Sequence, residues 1–238
     1  MKRLATLAKR LDSYRPLPLR FTRLPTDVAL ARSEEFLALM RDRRSVRDFS
    51  DEPVPHALIE RALQAAVSAP SGANRQPWQF VVVTDPAVKA RIRAGAEHEE
   101  ELLYRERASQ EYLEALEPIG TDWSKPHLTE APALIVVFEE PWSVDHDGEK
   151  KKNYYVRESV GIAVGFLLVA LHNAGVATLT HAPSPMGFLN DILGRPANER
   201  PFIIVAAGYP AAGATVPELE RKSFDAVVEF VEPPHSEP

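Results

Sequence analysis

The stretch ALIVVF, residues 133–138, decides the architecture. All six side chains are apolar and no polar residue alternates with them, so the segment reads as a strand covered on both faces. Such a strand needs a layer of helix on either side. Working outward, residues 78–84, 176–180 and 202–208 are short runs holding β-branched or aromatic side chains, and they read as further strands. Helical patterns lie between them. Residues 33–41 place Phe36, Leu37 and Met40 on one side, and residues 55–68 space Leu58, Ile59, Ala62, Leu63, Ala66 and Val67 three or four apart before Pro70-Ser71-Gly72 turns the chain. Residues 86–116 read as one long helix, strongly acidic at Glu97 and from Glu99 to Glu101. Residues 154–174 form a helical pattern that is apolar nearly all round, and are expected in the core rather than at the surface. With no internal repeat, the whole is of mixed α/β or α+β type: a small central sheet wrapped by helices.

Composition narrows the function classes. The 238 residues are 45% apolar and 26% charged, enough for one well-filled core. A formal charge of −6 argues against nucleic acid as the main partner, because affinity for its phosphates needs a basic surface. The longest apolar run, residues 160–171, is 12 residues, short of the roughly 20 that a membrane-crossing helix requires, so no membrane partner is expected. Cysteine is absent, which removes disulfides, thiolate nucleophiles and thiolate-bound metals, and suits a reducing cytoplasm. Residues 1–25 hold seven basic side chains against one acid, Asp12, without a signal-peptide block, and read as a solvated basic arm.

No dinucleotide-binding, P-loop, serine-hydrolase or zinc-protease string occurs, and the seven histidines form no pair at ligand spacing, so no metal is expected. What remains is RRSVRDFS, residues 43–50, with the turn Ser71-Gly72-Ala73 and the polar strand end Thr178-Leu179-Thr180. Arginines at a helix end can simply complement its dipole. Alternatively, Arg43, Arg44 and Arg47 with the Ser45 hydroxyl are forked donors suited to a phosphate. Gly72 lets backbone N–H groups approach a ligand closely, and Arg221 is a lone arginine in an acidic tail. Together they suggest a phosphate-bearing cofactor.

RRSVRDFS, APSGANRQPWQFVVV (residues 69–83) and LGRPANERPFIIVAAGYP (residues 193–210) resemble the flavin-binding nitroreductase superfamily over roughly residues 33–230. Within it, APSGANRQPW, GEKKKNYY, LHNAGVATLT and ATVPELERKSFD look most like the iodotyrosine deiodinase branch. The resemblance implies an α+β nitroreductase-like fold with a mixed or antiparallel sheet, in an intertwined homodimer with FMN in a cleft between subunits. Residues 1–32 would then be the arm, 33–230 one FMN-binding domain with a lid over about 97–127, and 231–238 a flexible tail. By the same resemblance Arg43, Arg44, Ser45 and Arg47 hold FMN, Ser71, Gly72 and Arg221 complete its pocket, and Thr180 faces flavin N5. His181 and Ala182 stand beside it where the family often has threonines, so they alter the flavin's surroundings. The membrane anchor of the animal enzymes has no counterpart here, which suggests a soluble, cytoplasmic protein.

Glu100 and Tyr104 are four apart, which puts both on one helix face, and Lys125 follows in DWSKPH. An acidic run is usually a solvated face. In the resemblance, however, these three types grip a halotyrosine zwitterion, glutamate taking the ammonium and lysine with tyrosine the carboxylate, while the Ala73 N–H meets the phenolate. This implies an FMN-dependent halotyrosine reductase releasing tyrosine and halide, with NAD(P)H as ultimate reductant, through a separate flavin reductase or directly. A broad nitroaromatic or quinone reductase and a non-catalytic flavin- or tyrosine-binding module remain the alternatives.

Overall fold

In the computed structural model, which describes residues 14–231, the apolar runs assemble into one four-stranded sheet. Its strands are β1 (Trp78–Val83), β2 (Ala133–Glu139), β5 (Ala177–His181) and β6 (Arg200–Gly208), in the order β1-β2-β6-β5, and every ladder is antiparallel. A parallel element enters only as an isolated bridge between Ser45 and Thr178. The β2–β6 register shifts between Val137 and Phe138, opposite Pro201, which has no N–H to give to a ladder. Two short strands outside the sheet, β3 (Trp142–Val144) and β4 (Lys150–Lys152), form a hairpin that the sequence reading did not contain.

Residues 134–138 of β2 are fully buried, and the period of two sends their side chains into two separate cores. On one face Ala133, Ile135 and Val137 meet Ile59, Ala62 and Ala66 of α2 (His56–Val67) and Val160, Ala163, Leu167 and Leu171 of α6 (Val156–Asn173). On the other, Leu134, Val136 and Phe138 meet Ile92 and Ala96 of α3 (Pro86–Leu102), Leu128 of α5 (His127–Glu130) and Leu189 of α7 (Phe188–Leu193). Each fully buried aliphatic side chain contributes about 1.5–3 kcal/mol, so this strand anchors both layers.

Two expectations change. The helix over residues 86–116 is not continuous: α3 ends at Leu102, a wider π turn follows over Leu103–Arg107, and α4 starts afresh at Gln110–Leu116. Arg107 donates to the Glu99 carbonyl and carboxylate (2.6 and 2.9 Å), while Ser109 Oγ accepts the Tyr112 N–H at 3.2 Å and caps the new helix. Helix α6, expected to be covered all round, is covered on one face only. Its 18 residues make it the one helix among those described that is long and apolar enough to cross a membrane, yet that buried face packs under the sheet. On the opposite side Ile162 and Phe166 are each 42% exposed.

The chain divides into two units, residues 1–42 and 43–238. In the first, residues 14–25 carry no regular structure, and α1 spans Thr26–Asp42, beginning seven residues before position 33 and burying no residue. Lys2, Arg3, Lys9, Arg10 and Asp12 of the expected basic arm, and the expected tail from 232 onward, lie outside the described residues.

Candidate active site

The segment after Asp42 leaves the helix and touches the rest of the fold through isolated bridges, Ser45 to Thr178 and Phe49 to Pro210. Val46 and Phe49 are buried in the core, and the backbone is pinned where the Val46 N–H donates to the Thr178 carbonyl (3.1 Å) and the Ser50 N–H to that of Tyr209 (2.9 Å). Arg43, Arg44, Ser45 and Arg47, all half-buried, line a crevice of about 320 Å³ together with Arg221. Arg221 Nη2 donates to the Arg43 carbonyl at 3.3 Å, and Arg44 donates to the Pro217 carbonyl, so the far end of the chain is tied to the cluster. The basic residue in the last turn of α1 is Arg41, and Arg43, Arg44 and Arg47 follow the helix end. Among the described residues none of their guanidinium groups forms an ion pair. Burial lowers the Arg47 guanidinium from its ordinary value, with Asp48 acting the other way. Half-buried forked donors that no carboxylate pairs fit a phosphate, although the acidic Glu220 also lines the crevice.

The glycine turn is built by close approach. A Cβ on Gly72 would lie 2.5 Å from the Tyr154 carbonyl oxygen, so no larger residue fits, and the Gly72 N–H donates to Ser159 Oγ at 3.2 Å. Ser71 Oγ accepts the Gln76 N–H at 2.9 Å. Ala73, Asn74 and Gln76 all have positive φ (51°, 53° and 48°), as does Tyr155 (49°). Each such residue costs roughly 1–2 kcal/mol, strain of the kind that collects at binding sites. Within one chain, Ser71, Gly72 and Ala73 do not line the arginine crevice.

At the end of β5, Thr180 and Ala182 are exposed while His181 turns inward, as strand alternation requires. The His181 ring lies edge-on to His127, centroids 5.3 Å apart. Burial first, then the neighbouring charges of Lys125 and Arg47, push His127 down to about 4; burial and His127 push His181 down to about 3. Both rings are neutral near pH 7, and neither Nε2 has a hydrogen-bond partner among the described residues.

Glu100, Tyr104 and Lys125 come together. Lys125 Nζ lies 3.4 Å from Glu100 Oε2 and 5.8 Å from the centre of the Tyr104 ring, and the Tyr104 hydroxyl donates to the Thr121 carbonyl at 3.1 Å. Glu100 is 9% exposed and Lys125 3%, so this is an interior pair rather than the solvated face an acidic run suggests. The ammonium also reaches Thr121 Oγ1 (3.3 Å) and the Asp122 carbonyl. Burial, followed by the Glu100 charge, raises the Tyr104 hydroxyl above its ordinary value and keeps it an O–H donor. A second set escaped the sequence reading: Lys89, Arg93 and Glu97, on the same face of α3 and all bonded to residues 125–131. The signal was present in their spacing, since 89, 93, 97, 100 and 104 step by three or four.

Known proteins share this chain's sequence pattern and fold. Residues 40–209 match the model of the Nitroreductase family. An iodotyrosine deiodinase of Haliscomenobacter hydrossis is 56% identical over 199 residues, 84% of this chain and 90% of that protein. The human iodotyrosine deiodinase 1 is 42% identical over 218 residues, 91% of this chain and 76% of its own length. Among solved structures, an oxidized iodotyrosine deiodinase bound to FMN and 3-iodo-L-tyrosine superposes with a TM-score of 0.70 at 31% identity, covering 83% of this chain and 99% of that one. A Bacteroides fragilis nitroreductase with bound FMN (TM-score 0.60, 22% identity, covering 83% of this chain and 99% of that one) shares the fold.

Proposed function

This chain belongs to the nitroreductase family, in its iodotyrosine deiodinase branch, and on that footing we propose that it removes halide reductively from halotyrosines with FMN as cofactor. The reaction breaks one carbon–halogen bond and consumes two electrons and a proton to give tyrosine and halide. Bound FMN supplies the electrons. Arg43, Arg44, Ser45, Arg47 and Arg221 would hold its phosphate and polar edge, and the exposed Thr180 hydroxyl would face its reactive ring, with His181 and Ala182 alongside. Ser71, Gly72 and Ala73 stand apart from that crevice, and a second copy of the chain supplies them in this reading. The Ala73 N–H then meets the substrate phenolate, whose burial needs a donor.

The observation that carries the proposal is the Glu100–Lys125 pair. In the free protein the lysine ammonium occupies the carboxylate that a substrate ammonium would take, and the interior charges satisfy each other. A halotyrosine zwitterion inserts between them: its ammonium takes Glu100, and its carboxylate takes Lys125 and the Tyr104 hydroxyl. A phenol without that zwitterion cannot replace either partner. The electron donor belongs to the same proposal, NAD(P)H directly or through a separate reductase, as does a cytoplasmic setting.

Reduced protein loaded with FMN, titrated anaerobically with 3-iodotyrosine, is expected to reoxidise its flavin with stoichiometric tyrosine. Glu100→Gln should weaken halotyrosine binding to the oxidised flavoprotein by about 30-fold or more, because one buried charge loses its partner. Unchanged affinity in that variant, or reoxidation without tyrosine, would refute the reading. Ready turnover of nitroaromatics that ignores Glu100→Gln would favour a broad reductase instead.

A further inference from the structure

We infer that Glu97 is the positioning residue for the halotyrosine clamp: it fixes the backbone of the segment that delivers Lys125, and through it the preference for an amino acid over a bare phenol. The inference rests on the function proposed above. Glu97 Oε1 accepts the backbone N–H of Lys125 at 2.8 Å and the Nε–H of Arg93 at 2.7 Å. Arg93 Nη1 continues to Thr129 Oγ1 at 3.0 Å. One turn earlier, Lys89 Nζ donates to the Thr129 and Ala131 carbonyls (3.0 and 2.7 Å), capping the C-terminal end of α5. One face of α3 therefore does two jobs. Its first three turns, with Lys89, Arg93 and Glu97, grip residues 125–131 from behind; its end, with the π turn, presents Glu100 and Tyr104 to the lysine that this grip places.

The arrangement is asymmetric in a useful way. Lys125 must release Glu100 when substrate enters, so its side chain is free to change partner while its backbone is not. Burial alone would raise the Glu97 carboxyl, but the Lys125 N–H and the Arg93 guanidinium outweigh it and hold the group below the ordinary carboxylate range. Glu97 thus stays an acceptor throughout. Without it the Lys125 backbone loses its tether to α3, and the lysine samples positions from which it reaches neither Glu100 nor a substrate carboxylate.

The test compares Glu97→Ala, which removes the acceptor, with Glu97→Gln, which keeps an oxygen there, both as FMN-loaded protein. Flavin fluorescence reports binding of 3-iodotyrosine and of 2-iodophenol, and amide hydrogen exchange reports the backbone of residues 121–131. A charge-assisted bond of this kind predicts about tenfold or greater loss of iodotyrosine affinity in the alanine variant, raised KM with kcat retained, unchanged iodophenol binding, faster exchange over that segment, and recovery in the glutamine variant. Wild-type iodotyrosine affinity in Glu97→Ala overturns the inference, as does an equal loss for iodophenol. Should the unsubstituted protein bind FMN but not iodotyrosine, the functional reading fails by itself. Exchange over residues 121–131 still decides whether Glu97 holds the segment, and equal rates mean that it does not.

Discussion

Lys125 and Glu100 face each other across 3.4 Å with almost no solvent on either side, and such a pair is retained at the expense of desolvating two charges. Its neighbours add a pH dependence of stability. His127 and His181 sit at about 4 and 3, below the 6.5 of an exposed imidazole. The unfolded chain therefore binds protons that the folded one refuses, and stability falls as pH drops from about 6.5 toward 3, by about 1.4 kcal/mol for each pKa unit of depression. The melting temperature should decline over that window, and His181→Gln should decline less steeply, as thermal denaturation at pH 7, 6 and 5 will show. At this scale the grouping of the arginines, and that of Glu100, Tyr104 and Lys125, was legible, because their identities and spacing resemble the deiodinase branch. The His127–His181 contact was not, since it joins a strand end to α5 across 54 positions, 127 to 181, and no periodicity encodes that.

Among the elements, strands β1, β2, β5 and β6 and helices α2 and α6 were readable within two residues, because their apolar period and the proline or glycine punctuation coincide. Residues 86–116 were misread as one helix. Their composition is helical throughout, and the break is made by two polar contacts, Arg107 to Glu99 and the Ser109 cap, that outweigh propensity. The same contacts give a test. Ser109→Ala should cost about 1 kcal/mol of local helix stability, which hydrogen exchange over α4 will register as faster exchange without change in FMN content. The hairpin β3–β4 was missed for a related reason: three residues a side is too short for alternation to show, and the turn is held by Asp145, whose Oδ1 accepts the Asp147 and Glu149 N–H groups.

For the molecule as a whole, the outward face of α6 explains why an all-round apolar helix is not buried all round. Ile162 and Phe166 stand exposed beside Gly161 and Gly165, where a Cβ would meet nothing within 4 Å. A second copy seated there would cover this face, in keeping with a glycine turn that one chain leaves apart from its arginine crevice. Phe166→Asp should then convert a dimer into monomers and deplete bound FMN, measured by light scattering and flavin absorbance on the same fractions. Dimers that retain flavin despite the charge would contradict this assembly.

The sheet order has a consequence during synthesis. Strand β2 is sealed between β1 and β6, yet β6 leaves the ribosome some 70 positions after it. Until then six consecutive greasy side chains travel on a nascent chain with an open edge, the kind of segment that sticks to its own kind. Overexpression is therefore expected to strain chaperone capacity before it strains anything at the catalytic cleft.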